Sequence, residues 1–125
     1  MKTFGYELIL DLSNCSVEKF NRTDLTKFFV EICELIDMKR EDLHFWDYEG
    51  YEDEIPYDQP HLVGTTAVQF ISTSNITIHT LEILKAVYVN IFSCKEFNKD
   101  VAENFTCNFF KGDIDNSHFI ERGKK

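Results

Sequence analysis

Positive charge is scarce in this sequence: 13 lysines and arginines stand against 22 aspartates and glutamates, a net charge of −9. Phosphate backbones repel such a surface, so no nucleic-acid partner is expected. No run approaches the length of about 18 apolar residues that a membrane-spanning helix needs, so no membrane partner is expected either. The opening MKTFGYELILDL has a short apolar run, but Glu7 and Asp11 interrupt it and no small-residue cleavage site follows. A cytoplasmic protein is therefore predicted, in which the N-x-S/T matches at Asn14, Asn21, Asn75 and Asn104 are chance. Cys15, Cys33, Cys94 and Cys107 form no CxxC pair and fit no zinc spacing. They are expected to be thiols, with Cys33 and Cys107 filling core positions on helices. His44, His61, His79 and His118 are scattered without ligand spacing, so no metal is expected. Repeats, low-complexity tracts and linkers are also missing, which predicts one domain over 1–125.

What is present suffices for a folded core: 43% of residues are hydrophobic and twelve are Phe. Tyr6, Leu8, Leu10 and Leu12 alternate within 5–12 and predict a first strand. Leu25, Phe28, Phe29, Ile32 and Ile36 recur at helical spacing and predict a helix over 22–38, capped by Asn21 or Thr23. Residues 43–48 predict a strand, and 49–61, acid-rich and holding both prolines, a long loop. That loop is either a solvated face or an attractor of cations. Two strands, or one interrupted strand, are predicted over 62–72 and 76–80, and another over 86–93. A second helix capped by Asn98 is predicted over 98–110, and a short last strand over 118–121. These elements predict an α+β fold, a two-layer sandwich with an antiparallel sheet and two helices on one face. The other sheet face would carry apolar residues such as Val68 and Phe70 or Val87 and Val89, which predicts a homodimer.

Residues 72–80, STSNITIHT, place Ser74 at a break between strands and His79 five residues later. Thr66 precedes Ser74 by eight residues, and Cys94 ends a later strand fifteen residues after His79. On spacing alone, such side chains at strand ends are more often structural than catalytic.

The segment GTTAVQFISTSNITIHT followed by VNIFSC is similar to the core of the S-adenosylmethionine decarboxylase family in its short prokaryotic form. There G-x-S-G, an apolar strand, Glu-Ser-His, Ile-His-Thr and a strand ending in Phe-x-Cys follow one another. GYELILDLSNC resembles that family's opening strand and turn, and FIERG its closing strand, so the resemblance spans nearly the whole chain. It implies a pyruvoyl-dependent decarboxylase of polyamine (spermidine) biosynthesis, made from an autocatalytically cleaved precursor. Ser74 would attack the carbonyl of Thr73, giving fragments 1–73 and 74–125, and would become the pyruvoyl cofactor, an electron sink for loss of carbon dioxide. His79 matches the base that removes the α-proton in processing, Cys94 the donor that protonates the decarboxylated carbon, and Thr66 a serine that assists processing. The implied substrate is a small cationic amino-acid-like molecule, S-adenosylmethionine or another. Glu82, Phe45, Trp46 and Tyr57 are candidate contacts for it, the aromatic ones by stacking or cation–π attraction or else as core.

The sequence also departs from the family pattern. Thr73 replaces the glutamate before the serine, Asn75 the histidine after it, and Ala67 a glycine. Ile83 falls where the family's glutamate holds the ribose hydroxyls, with Glu82 one residue off. The expectation is therefore a decarboxylase with an altered substrate, and its alternative an uncleaved, inactive paralogue acting as a regulatory or structural partner.

Overall fold

The alternation in 5–12 produces β1 (Gly5–Ser13), whose Leu8, Leu10 and Leu12 are buried while Glu7, Ile9 and Asp11 turn to the other face. A computed structural model describes residues 3–123. After β1 come α1 (Arg22–Leu35), β2 (Arg40–Trp46), β3 (Gly64–Ile71), β4 (Ser74–Leu81), β5 (Ala86–Ser93), α2 (Lys99–Phe110) and β6 (Asp113–Arg122). The strands form one antiparallel sheet in the order β2-β3-β4-β5-β1-β6. Both helices lie on the same face of it, and the fold is the expected α+β two-layer sandwich. Phe28 of α1 sits at the centre of the core, with ring centroids 5.3 Å from both Phe109 and Phe110 of α2.

Both helices start where their caps stand. Asn21 Oδ1 accepts from the Asp24 N–H at 2.8 Å, and Asn98 Oδ1 from the Val101 N–H at 3.1 Å. The first helix stops three residues short of the expected 38. Asp37 adopts φ +56°, and the Met38 N–H reaches back to the Cys33 carbonyl at 2.7 Å, a Schellman closure. β2 begins earlier than expected, at Arg40, across a bulge against β3. The buried Gln69 amide fills that bulge, donating to the Glu41 and Asp42 carbonyls and accepting from Arg40 Nε. β3 begins at Gly64 rather than 62 because Pro60–Leu62 forms a 3-10 turn.

Three expectations are corrected. Val87 and Val89 do not face away from the helices. They pair with Leu12 and Leu10 of β1 and share their buried face, leaving Tyr88, Asn90 and Phe92 for the open one. The last strand runs ten residues, not four. As an edge strand its side chains are mostly exposed, so it shows no apolar alternation. Cys33 is a core residue as expected, but Cys107 is only partly buried and donates its thiol to the Gly112 carbonyl at 2.9 Å. Val68 and the exposed Phe70 do lie on the open face.

Candidate active site

Ser74 opens β4 directly after a two-residue connection, Ser72–Thr73, because Ile71 already pairs with Ser74. Such a tight turn needs a positive φ, and here Thr73 carries it, at +53°. Ser74 is buried at the helix-facing side of the sheet end. Its Oγ accepts the backbone N–H of Cys94 at 2.9 Å, which fixes the hydroxyl beside the end of β5. Thr73 Oγ1 lies 2.8 Å from the Ser72 carbonyl and 3.2 Å from Cys94 Sγ. The Thr73 hydroxyl is the chief cause of a Cys94 pKa below the ordinary thiol range; Ser74 and the positive charge of Lys95 add to it, against burial. Lys95 is itself tied down by Asp37, through a carboxylate contact at 2.7 Å and the backbone carbonyl at 2.6 Å.

Burial acts in the opposite direction on the core thiols, pushing Cys15 and Cys33 up to about 11. Only the thiolate is a good nucleophile. Limited alkylation at mildly alkaline pH is therefore expected to mark Cys94 well before Cys15 or Cys33, as peptide mapping would show. Thr73→Val, which removes the hydroxyl, is expected to shift the Cys94 alkylation profile to higher pH.

His79 stands elsewhere. It pairs across the sheet with Thr66, and its Nδ1 lies 2.9 Å from Thr66 Oγ1 on the open face. Side chains alternate along a strand, so residues 74 and 79, an odd number apart, point to opposite faces, five residues or roughly 16 Å apart along β4. The four residues grouped in the sequence thus form two pairs in the fold, Ser74 with Cys94 and Thr66 with His79. His79 lines two hollows of about 330 Å³ each. One is walled by Trp46, Tyr48, Leu81 and Tyr88. The other is polar and runs from His79 past Thr77 and Asn90 to Asn75, Glu7 and Arg122. Arg122 is held there by Glu7 at 2.5 Å and lies over the Phe92 ring. Nothing in the sequence marked Glu7, Tyr88 or Arg122, because their place depends on which strands become neighbours.

The remaining candidates are dispersed. Trp46 lies on the open face beside His79, whereas Phe45 faces the helices, packs on the core and carries Arg22 over its ring. Glu82, Ile83 and Tyr57 line a cavity of about 670 Å³ under the first turn of α1, where Asp47 holds Arg22 through two hydrogen bonds. Burial, with the nearby Asp47 charge, raises the Glu82 pKa above the usual carboxylate range. Among the described residues, no three His, Cys, Asp or Glu side chains stand together as a metal-binding group, and no helix is long and apolar enough to cross a membrane.

The sequence pattern of the family described as S-adenosylmethionine decarboxylase matches residues 6–123. A search of curated protein sequences gives no match. Among solved structures, the adenosylmethionine decarboxylase of Aquifex aeolicus is similar, at 20% identity, over 100% of this chain and 95% of that one, with a TM-score of 0.77. At that identity the likeness establishes the fold, and the family match rests on the sequence.

Proposed function

The chain belongs to the S-adenosylmethionine decarboxylase family, and on that premise we propose that it is a pyruvoyl-dependent decarboxylase, one domain over 1–125, that cleaves itself between Thr73 and Ser74. The observation that carries this is the Ser74–Cys94 contact. A buried hydroxyl is fixed by a backbone amide, beside the Cys94 thiol that Thr73 Oγ1 also contacts. In the cleavage, Ser74 Oγ bonds to the Thr73 carbonyl carbon, the C–N bond breaks, and the Ser74 nitrogen takes the proton, leaving an ester. Loss of the α-proton of residue 74 then expels the Thr73 carboxylate from Cβ. Addition of water and departure of ammonia leave a pyruvoyl group at position 74. That position fits the group, since the Cys94 amide is already a hydrogen-bond donor there.

The pyruvoyl ketone supplies the electron sink for loss of carbon dioxide. The chain's own side chains handle the protons. In the tautomer whose Nδ1–H donates to Thr66 Oγ1, His79 has Nε2 free to take the α-proton during processing. Cys94, its thiol pKa lowered, delivers a proton to the decarboxylated carbon. Since these groups stand on opposite faces of one chain, the proposal includes a homodimer through the open sheet face, in which Ser74 and Cys94 at the end of one sheet would be met, around that end, by the Thr66 and His79 of a second copy. The exposed Trp46, Tyr88, Phe70 and Ile120 on that face support it. The substrate is a small cationic amino-acid-like molecule, with Trp46 as its aromatic contact. The setting is cytoplasmic polyamine synthesis.

One feature favours a second role, as an uncleaved partner of an active decarboxylase. Ile83, exposed at the β4–β5 turn, offers no side-chain acceptor to a ribose, and Glu82 faces the separate cavity under α1. Carbon dioxide release from carboxyl-labelled S-adenosylmethionine, ornithine and arginine decides between the two. Release from one of them by the cleaved protein is the expected result. Cleaved protein inert toward all three would overturn the decarboxylase assignment.

A further inference from the structure

Thr73 is the residue whose carbonyl Ser74 would attack, and it has the least suitable side chain for its backbone conformation. Among the described residues, four other non-glycine positions have positive φ: Asn14, Asp37, Lys85 and Lys111. Asn and Asp tolerate the left-handed region through local hydrogen bonds, and the two lysines are unbranched at Cβ. Thr73, at +53°, is the one β-branched residue of the set. In this region Cβ crowds the residue's own carbonyl oxygen, and a second substituent on Cβ tightens that contact. The crowded carbonyl is the electrophile of the cleavage.

The surroundings keep Thr73 in this conformation. The connection has only two residues, and the Ile71–Ser74 pair that closes it is buried on both sides. Ser74 cannot slide along the ladder without losing its bond from the Cys94 N–H. The Thr73 side chain is held between the Ser72 carbonyl and Cys94 Sγ. A glycine would occupy the same turn without this crowding.

We propose that Thr73 is a positioning residue for self-cleavage: the hairpin forces its branched side chain into the left-handed region, and the resulting strain loads the Thr73–Ser74 peptide toward ester formation. The proposal rests on the cleavage described above and deepens it. In that step the bond from Ser74 Oγ to the Thr73 carbonyl carbon forms, the amide C–N bond breaks, and the hydroxyl proton ends on the Ser74 nitrogen. The step is an isomerisation and consumes no other reactant. The chain then runs through Cβ and Oγ of residue 74, one atom longer and without amide planarity, so Thr73 is free to leave the left-handed region. Strain present before the step and absent after it speeds the step.

The test follows the first-order splitting of freshly made precursor by mass spectrometry in the wild type, Thr73→Gly and Thr73→Val. Thr73→Gly relieves the crowding and is expected to slow cleavage about ten-fold, whereas Thr73→Val keeps the branch and is expected to stay within about three-fold of wild type. In an uncleavable Ser74→Ala background, Thr73→Gly is expected to raise the thermal midpoint by several degrees. If Thr73→Gly cleaves as fast as wild type, if Thr73→Val is as slow as Thr73→Gly, or if the glycine leaves the midpoint unchanged or lower, the strain proposal is overturned while the cleavage assignment stands. A wild-type chain that never splits overturns both.

Discussion

Ser74→Ala is expected to remain one uncut chain of 125 residues and to have no decarboxylase activity at all. Alanine has no Oγ to bond to the Thr73 carbonyl, and position 74 then has no route to a ketone. No neighbouring hydroxyl replaces it. Ser93 Oγ is engaged with the Lys95 carbonyl at 2.7 Å, and Ser72 Oγ lies by Glu41 at 3.1 Å. The fold should survive, because the change removes only the acceptor for one backbone N–H, at a cost of about 1–3 kcal/mol. Denaturing electrophoresis after long incubation checks the first point, and a urea titration the second. A Ser74→Ala chain that still splits at residue 74 would place the nucleophile elsewhere.

Cys94→Ala is expected to separate cleavage from turnover. The hydrogen bond that fixes Ser74 comes from the Cys94 backbone and survives the substitution. Thr73 keeps its place in the two-residue turn and its contact with the Ser72 carbonyl. Splitting should therefore proceed, while decarboxylation loses its proton donor and falls about 10²–10⁴-fold in kcat. Fragment formation and carbon dioxide release, measured on the same preparation, distinguish the two steps. A Cys94→Ala chain that fails to split would make the thiol a part of the processing chemistry.

Much of the fold was legible because two periodicities stand out in the sequence. The 3.6-residue recurrence of Leu25, Phe28, Phe29 and Ile32 and the alternation of Leu8, Leu10 and Leu12 each report one buried face. In AVYVNIF both faces carry apolar or aromatic side chains, so the face of Val87 and Val89 could be read only once β5 had β1 as its neighbour. β6 lies at an edge, where little burial is demanded and no alternation is written. Spacing brought out Ser74, His79, Cys94 and Thr66 as residue types, but the odd separation of 74 and 79 sends them to opposite faces. The left-handed conformation of Thr73 left no trace either, since left-handed turns are usually signalled by Gly, Asn or Asp and a threonine argues against one.

Everything proposed for this chain depends on one bond. Intact-mass spectrometry of the purified wild type should find two fragments, 1–73 and 74–125. The second should be lighter by one ammonia than a chain beginning with serine, and closed to reagents for α-amines. A single mass for the full 125 residues after prolonged incubation would contradict the account and leave the chain as an uncleaved member of its family.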